Sequence, residues 1–288
     1  CPGGSVSGAV LQFKTGAPQV ATTDATSVAE TTATLNGSMS STGTSVKYQF
    51  YYCAASASCS AASLSGGSTV GTSSNVTNPF NTTITHNLTG LTGNTTYYYQ
   101  AQGLVSDVVV SYGEILNFTT ILISTVALAN GTIGSSYTAG LTGTGGVGPY
   151  SWSSGTLPAG LTMTTAGVIT GTPTTAGTTA VIFTMTDDFY GTSTTKTLNI
   201  VVKASVTYAL NGGSGTLPTE ANHAAGETFA LAASTGLTKN GYTFSKWNDG
   251  TTDYNAGATY TMGSANTTLT AVWAAVNYTV LYDDNVTG

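Results

Sequence analysis

The sequence contains no arginine, and charged residues of all kinds make up only 6% of its 288 residues. Six lysines face twelve acidic residues, which gives a formal net charge of −6. Nucleic-acid binding and attachment to anionic lipid both require clustered basic side chains. The composition therefore argues against a nucleic-acid-binding protein and against a polybasic membrane-surface patch. No apolar run approaches the ~18 residues of a membrane-spanning helix, so we expect no membrane span in this segment.

Histidine is also scarce, and this bears on catalysis. His86 and His223 are the two histidines of the chain, and they fall in different predicted modules. A Ser-His-Asp triad needs its three groups to converge, and no His/Cys pair has the spacing of zinc ligands. The sequence therefore predicts a protein that is not an enzyme and that has no catalytic residues, cofactor or firm metal site.

The three cysteines carry information about the compartment. Cys53 and Cys59 frame a short Ala/Ser loop, which a disulfide can bridge across the end of a hairpin. Such a bond would place the protein outside the reducing cytosol, whereas the alternative is two free thiols on a loop. Cys1 could pair with a residue outside this sequence, bond between subunits, or mark a lipid-anchor site.

The chain has few charged residues but many residues that favour β-structure. The chain is 40% hydrophobic and contains 16 tyrosines and 36 glycines, but 7 prolines. Disorder requires low hydrophobicity or high net charge, whereas Val, Ile, Thr and Tyr fit the half-buried surface of a sheet. No segment shows a helical apolar period over three turns. We therefore predict an all-β fold with a hydroxyl-rich exterior.

Two stretches of sequence recur. Residues 8–15 (GAVLQFKT) return at 113–120 (GEILNFTT), and residues 206–211 (VTYALN) return at 280–285 (VLYDDN). One copy of each pair lies at an end of the chain without a module of its own. We therefore predict that this sequence is a segment of a tandem array of modules. Residues 1–15 are predicted to be the last strand of a preceding module. Three modules follow, at 16–120, 121–204 and 205–275. Residues 276–288 are predicted to be the first strand of a following module or an exchanged strand.

The first predicted module has five strands, at 33–38, 46–52, 82–88, 95–103 and 115–120. Residues 32–37, 88–101 and 112–120 resemble a fibronectin type III-like module of bacterial or archaeal surface proteins. The resemblance implies a β-sandwich in which Leu91 fills the core. It also implies that Tyr97 forms a tyrosine corner, with its hydroxyl bonding back to the chain. The cysteine-bearing insertion departs from the family pattern and is expected to lie in a loop.

The second predicted module contains the segments GPYSWS, LPAGL, GVITGTP and VIFTMTD in this order, between residues 148 and 187. This order resembles the putative-Ig, cadherin-like repeats of large microbial surface proteins, which implies a second sandwich. Trp152 is expected to anchor its core. Asp187 and Asp188 are weak calcium candidates by analogy with cadherins. Calcium takes six to eight oxygens and this module offers few other carboxylates, so a solvated turn is the alternative.

The third predicted module carries KNGYTFSKW at residues 239–247 and TTLTAVW at 267–273. These motifs resemble the Listeria–Bacteroides repeat, a small β-grasp-like module whose members act as spacers or receptor-facing stalk units. A domain of about 70 residues needs large side chains to bury enough apolar area. We therefore expect Trp247 and Trp273 to meet in its core.

Acceptor sequences for N-glycosylation are more frequent than chance would give in a chain so rich in Ser and Thr. A glycan coat would supply the bulk and solubility that a surface with few charges lacks. The candidate sites are Asn36, Asn75, Asn81, Asn87, Asn94, Asn117, Asn130, Asn266, Asn277 and Asn285.

The function that these features predict is mechanical. We expect an extracellular or cell-surface microbial repeat protein, in which the chain serves as a stalk, fibre or adhesin segment whose partners are like modules or subunits, or host or surface glycans. One alternative is a filament subunit that polymerises by exchange of its terminal strand. The other is a carbohydrate-binding accessory module of a polysaccharide-degrading enzyme, for which the Tyr97, Tyr98 and Tyr99 rings would have to be exposed.

Overall fold

The computed structural model describes residues 17–41, 46–71 and 82–281. Within these ranges every regular element is a β-strand, so the predicted all-β class is confirmed. The described residues form two compact units. One contains the residues up to Ser124 together with Thr142–Ser151 and Thr184–Thr195, and the other contains Thr125–Leu141, Trp152–Phe183 and Lys196 onwards. The module boundaries expected from the sequence stay a prediction.

The first segment folds as a sandwich of two sheets. Its strands are β1 (Gln19–Thr26), β2 (Ala33–Ser40), β3 (Val46–Ala54), β4 (Cys59–Ser60), β5 (Ser63–Leu64), β6 (Ser68–Val70), β7 (Thr82–Leu88), β8 (Thr96–Val105), β9 (Val108–Tyr112) and β10 (Leu116–Thr119). One sheet has the order β1-β2-β7 and the other has the order β10-β8-β3-β6, with β9 also beside β8. We call this pair of sheets the first sandwich.

Alternation along the strands builds the core of the first sandwich. In β2 every second residue is buried, from Ala33 through Leu35 to Met39, because successive side chains of a strand point to opposite faces. The predicted anchor Leu91 is buried with them. The remaining members of this cluster are Ala25, Val28, Val46, Phe50, Ile84, Leu88, Tyr97, Tyr99, Ala101 and Phe118.

The second segment also contains sheets that lie on buried aromatic and aliphatic residues. Its strands are β11 (Leu122–Ile123), β12 (Gly131–Thr132), β13 (Tyr137–Gly140), β14 (Gly143–Thr144), β15 (Tyr150–Ser154), β16 (Leu161–Met163), β17 (Val168–Gly171), β18 (Gly177–Asp187) and β19 (Thr192–Ala204). The sheets have the orders β12-β19-β18-β15, β13-β17-β16 and β11-β14. Trp152 is 7% exposed, as expected of a core anchor.

The third segment is a small sheet whose first and last strands pair in parallel. Its strands are β20 (Val206–Ala209), β21 (His223–Ala224), β22 (Thr228–Ala230), β23 (Tyr242–Asn248), β24 (Asp253–Tyr254), β25 (Thr259–Thr261) and β26 (Thr267–Ala275). The main sheet has the order β20-β26-β23-β24, and β22 pairs with β25. The parallel β20–β26 pair beside the antiparallel β23 gives the β-grasp-like arrangement.

Trp247 and Trp273 belong to one hydrophobic cluster, with Phe244 between them. Trp247 is fully buried, whereas Trp273 is half-buried at the margin of the cluster. The Phe244 ring centroid lies 4.9 Å from that of Trp247 and 6.0 Å from that of Trp273. The two tryptophans therefore share the core through a third ring.

The predicted strand that begins at residue 276 is not formed in the described part of that segment. The Val276 amide donates to the Gly241 carbonyl, but residues 276–281 adopt no regular structure. Tyr278, Val280 and Leu281 are each more than half exposed. Their apolar side chains have no core of their own to pack into, so the alternating pattern does not produce a strand. The predicted strand at 1–15 and residues 282–288 lie outside the described residues.

Candidate functional site

The first joint is the region in which the β18–β19 hairpin contacts the first sandwich. The Thr192 hydroxyl donates to the Val28 carbonyl, and the Thr194 hydroxyl donates to Glu30 Oε2 at 2.5 Å. Tyr190, at the tip of the hairpin, packs against the core cluster of the first sandwich. Side-chain hydrogen bonds and apolar packing thus fix the hairpin to the preceding sheets.

The loop between β14 and β15 makes a second contact with the first sandwich. The Gly146 amide donates to the Thr119 carbonyl at 3.0 Å. Gly145 and Gly146 both have positive φ, which glycine adopts without strain. A Cβ on Gly145 would lie 1.9 Å from the Thr120 carbonyl oxygen, so only glycine permits this approach. The loop can therefore lie directly on the end of β10.

Asp187 organises both loops of the first joint. Its side chain is fully buried. One carboxylate oxygen accepts the amides of Val147 and Gly148 at 2.7 and 3.1 Å, and the other accepts those of Phe189 and Tyr190 at 2.9 and 3.1 Å. Four backbone donors satisfy a buried carboxylate, which is the condition for keeping such a group in a protein interior.

The calcium prediction for this pair of aspartates does not fit the geometry. Both Asp187 oxygens point to backbone donors, so they are not arranged to coordinate a cation. Asp188 Oδ1 accepts the Ser151 hydroxyl at 2.7 Å. Within residues 17–41, 46–71 and 82–281, no three His, Cys, Asp or Glu side chains gather as metal ligands would. The sequence left a weak ligand pair and a solvated turn open, whereas Asp187 is buried and holds two loops through backbone amides.

The second joint connects the second and third segments by strand pairing. β21 pairs antiparallel with the end of β19, and the Ala176 amide donates to the Ser264 carbonyl at 2.9 Å. Ala176 and Ala204 are buried in the same cluster as Trp247. The core of the third segment therefore includes residues of the second, and the two segments share both a sheet and a core.

His223 is a packing residue of the second joint. Its ring stacks on Phe229 with a centroid distance of 3.9 Å and an interplanar angle of 3°. Its Nε2 lies 3.2 Å from Glu220 Oε1, and its Nδ1 lies 3.1 Å from Glu227 Oε1. A hydrogen bond from the Ala224 amide and then one from His223 lower the pKa of Glu227. The imidazole is thus held between two carboxylates and against the Phe229 ring.

Asp249 closes the turn between β23 and β24. Burial opposes its ionisation, but hydrogen bonds from the Thr252 amide and from the Thr251 hydroxyl and amide outweigh this effect and lower its pKa to about 2. The Tyr254 hydroxyl also donates to Asp249 Oδ2 at 3.1 Å. A carboxylate held ionised in this way stabilises a turn and is unsuited to acid catalysis.

The predicted disulfide is present. Cys53 and Cys59 are bonded, with Cα atoms 6.1 Å apart, and both side chains are buried. The bond joins the end of β3 to the short β4–β5 ladder of the insertion. Cys1 lies outside the described residues, and its predicted pairings are untested.

Tyr97 is the second residue of β8 and lies next to the corner that precedes this strand. Its hydroxyl accepts the Thr92 amide at 2.9 Å, so the side chain bonds back to the chain five residues upstream. Tyr97 and Tyr99 are 7% and 0% exposed, and Tyr98 between them is half-buried. Alternate residues of a strand face opposite sides, so the three rings cannot form an exposed row. These three residues therefore do not form the exposed row of rings that the carbohydrate-binding alternative requires.

The candidate glycosylation sites differ in their surroundings. Asn36 is half-buried in the central strand β2, and its Nδ2 donates to the Asp24 carbonyl and to Thr26 Oγ1. That nitrogen would carry the glycan, so Asn36 does not fit an acceptor. Exposed candidates are Asn87, Asn94, Asn117, Asn130, Asn266 and Asn277, and Asn75, Asn81 and Asn285 lie outside the described residues.

Two protein-family models match the chain, one over the second segment and one over the third. Residues 119–203 match the family model of the putative Ig domain. Residues 205–272 match the Listeria-Bacteroides repeat domain. These matches confirm the two resemblances predicted from the sequence. Such Ig-like and repeat domains are typically non-catalytic and suggest a surface or structural module; with the disulfide, they are consistent with an extracellular or surface protein.

Several solved structures are similar to the chain at low identity. The C-terminal fragment of intimin, in complex with the intimin-binding domain of its translocated receptor, has 17% identity over 66% of this chain and 70% of that chain, at a TM-score of 0.34. The fibronectin(III)-like modules of Clostridium thermocellum CbhA have 12% identity over 64% of this chain and 93% of that chain, with a TM-score of 0.21. A putative α-galactosidase from Bacteroides fragilis has 20% identity over 32% of this chain and 20% of that chain, with a TM-score of 0.26. No curated protein matches the chain.

The joint residues were not identified from the sequence. Thr192 and Thr194 lie among many threonines, so nothing in their local pattern distinguishes them. Glu30 gave a weak signal, because it is one of few acids in a chain with 6% charge. Finally, no helix in the described ranges has the length and hydropathy needed to traverse a bilayer.

Proposed function

We propose that this chain is a stalk or fibre segment of a secreted or cell-surface microbial repeat protein. Its role would be to hold a distal binding part away from the surface, and its partners would be like modules in series. The observation that supports this most directly is the first joint. There, the tip of the β18–β19 hairpin and the β14–β15 loop are held on the first sandwich by hydrogen bonds and packing.

Stiffness at a joint follows from the number and type of contacts across it. A Gly/Ser linker permits free bending, whereas the Thr192 and Thr194 hydroxyls, the Gly146 amide and the Tyr190 ring each restrain the hairpin and loop. Inter-domain motion is the default unless contacts of this kind oppose it. A spacer that must keep its direction under load requires such restraint.

The experiment is a relaxation measurement on the full chain labelled with 15N. The double variant Thr192→Val, Thr194→Val removes both hydroxyl donors and keeps the β-branched shape. Thr186→Val is the matched control, because that hydroxyl bonds only to Ser193 Oγ on the same hairpin. We expect faster internal motion of the 187–194 hairpin relative to the first sandwich in the double variant. Identical relaxation in both variants would contradict a restraining joint.

A filament subunit that exchanges strands is a second candidate, and the segment at 276–281 supports it. Tyr278 and Val280 alternate along this segment and are 77% and 68% exposed. An extended apolar segment without a partner can add to the open edge of a sheet in another copy. Light scattering across a range of concentrations tests this: Val280→Asp should abolish assembly, and Thr279→Ser should not. A wild-type chain that stays monomeric throughout would reject the candidate.

A further inference from the structure

The third segment contains an open groove of about 760 Å³ that lies between the ends of β23 and β26 and the preceding loops. Aromatic residues form one part of it and polar residues the rest. Its lining residues are Gly212, Ser214, Leu237, Thr238, Lys239, Asn240, Gly241, Tyr242, Thr243, Phe244 and Trp273. We call it the Lys239 groove.

The aromatic part of the Lys239 groove is fixed in place. Trp273 pairs with Phe244 across β26 and β23, and its Nε1 donates to the Leu210 carbonyl at 2.8 Å. A Cβ on Gly213 would lie 2.3 Å from Trp273 Cζ2, so the loop backbone lies directly against the indole. Tyr242 is 44% exposed beside it. The groove thus offers an indole ring that is held in place before a ligand binds, with the partly exposed Tyr242 ring on the same groove wall.

Lys239 brings a positive charge to these rings. Its ammonium lies 4.9 Å from the Tyr242 ring centroid and 6.0 Å from that of Trp273, and it donates to the Asn211 carbonyl at 3.1 Å. The ion pairs found in the described residues involve Lys47 and His223, and none joins Lys239 to a carboxylate. The ammonium is therefore available to an anion.

We propose that the Lys239 groove binds an acidic glycan, that is, a polysaccharide that contains uronic acid residues. The C–H faces of a sugar ring would pack on Tyr242 and Trp273, which present apolar area with polar edges. The sugar carboxylate would pair with the Lys239 ammonium in a charge-assisted hydrogen bond. Hydroxyls would bond to the amide of Asn240 and the hydroxyl of Thr238, which lie at the rim.

The net charge of the chain restricts which class of acidic glycan the groove is expected to bind. A protein with a net charge of −6 repels a densely charged polyanion at long range. One ammonium without a carboxylate partner among the described residues suits a glycan with a single charge on each sugar better than a highly sulfated glycan with several charges on each sugar. This inference does not depend on the stalk proposal, because a binding groove can decorate a spacer or a separate module equally well.

The test is calorimetric titration of the full chain with an oligogalacturonate of defined length and with its fully methyl-esterified form, which carries no charge. We expect the acid to bind and the ester to bind about tenfold more weakly, the usual effect of losing one charged hydrogen bond. Lys239→Met should reduce affinity for the acid to that for the ester. Lys239→Arg should retain most of it, and Lys246→Met, which lies outside the groove, should leave it unchanged.

Three outcomes would overturn the proposal. The first is an absence of binding to either oligosaccharide. The second is equal affinity of the wild type and Lys239→Met for the acid, provided that thermal unfolding shows both folded. The third is equal or tighter binding of a poly-glutamate peptide, which would make the groove a site for acidic peptides. Tyr242→Ala is the independent variant: it keeps the ammonium, and it should weaken the acid and the ester alike.

Discussion

Replacing Asp187 by Asn tests whether this side chain holds the loops of the first joint together. The carboxylate is fully buried and accepts four backbone amides, two on each oxygen. Asparagine has almost the same shape, but it replaces one oxygen by an NH₂ group. That group would point at two N–H donors, so two hydrogen bonds would be lost and two amides would be left without an acceptor.

The cost can be estimated from these contacts. A hydrogen bond to a charged group contributes about 1.5–3 kcal/mol, and a buried donor left without a partner costs about 1–3 kcal/mol. These terms overlap, so we expect Asp187→Asn to lower the free energy of unfolding of the second segment by about 3–5 kcal/mol. A typical domain has about 5–15 kcal/mol in total. The variant should therefore lose a large fraction of the stability of the domain and unfold at a clearly lower denaturant concentration.

Urea denaturation of the full chain, followed by tryptophan fluorescence and circular dichroism, provides the assay. Asp188→Asn is the matched control, because Asp188 Oδ1 accepts only the Ser151 hydroxyl at an exposed position, and its loss should cost about 0.5 kcal/mol or less. If both variants unfold at the same urea concentration, the four amide bonds do not hold the joint. Stabilisation of the wild type by calcium that disappears in Asp187→Asn would instead restore the cation-ligand assignment.

Three further predictions concern single groups. Asp249 has a folded pKa of about 2, below the ordinary 3.8. Its stabilising effect, on the order of 1 kcal/mol after allowance for its partial exposure, is therefore present above pH 4 and lost as the pH falls towards 2. Asp249→Asn should remove this acid-induced loss of thermal stability. Tyr97→Phe leaves the Thr92 amide without its acceptor and should cost about 1–2 kcal/mol in denaturant unfolding, against no change for Tyr98→Phe. Replacing Cys53 and Cys59 by Ala opens a loop with a sequence separation of 6, which should cost about 2 kcal/mol; an unchanged melting temperature would contradict this.

Much of the strand pattern could be predicted from the sequence, because period-two alternation is a local signal. The strand expected at residues 82–88 is β7 with those bounds, and the others differ from prediction by at most two residues at each end. In the first sandwich the strands β1, β4, β5, β6 and β9 were missed. β1 contains mostly small and polar residues, and β9 begins with three consecutive valines, so neither sequence shows the alternation of apolar and polar residues that marks a half-buried strand.

The joints and the groove could not be predicted in the same way, because they depend on residues far apart in the chain. Thr192 bonds to Val28 across 164 positions, and nothing near either residue indicates the other. The role of Asp187 also depends on a distant part of the chain. Two adjacent aspartates at a strand end are compatible with a ligand pair, and only the position of the loop at Val147 and Gly148 decides against it.

The contacts of the first joint do not depend on exposed ion pairs, which agrees with the low content of charged residues in the chain. Exposed ion pairs contribute little and weaken as salt rises, whereas the contacts of the first joint use hydroxyls, backbone amides and a buried carboxylate that solvent ions do not reach. Threonine suits this role twice, because its branched Cβ favours strands and its hydroxyl can donate at the end of one. The surface protein proposed above would experience variable ionic strength. A joint built from Thr192, Thr194 and Asp187 would therefore keep its stiffness where one built from surface Lys–Glu pairs would not.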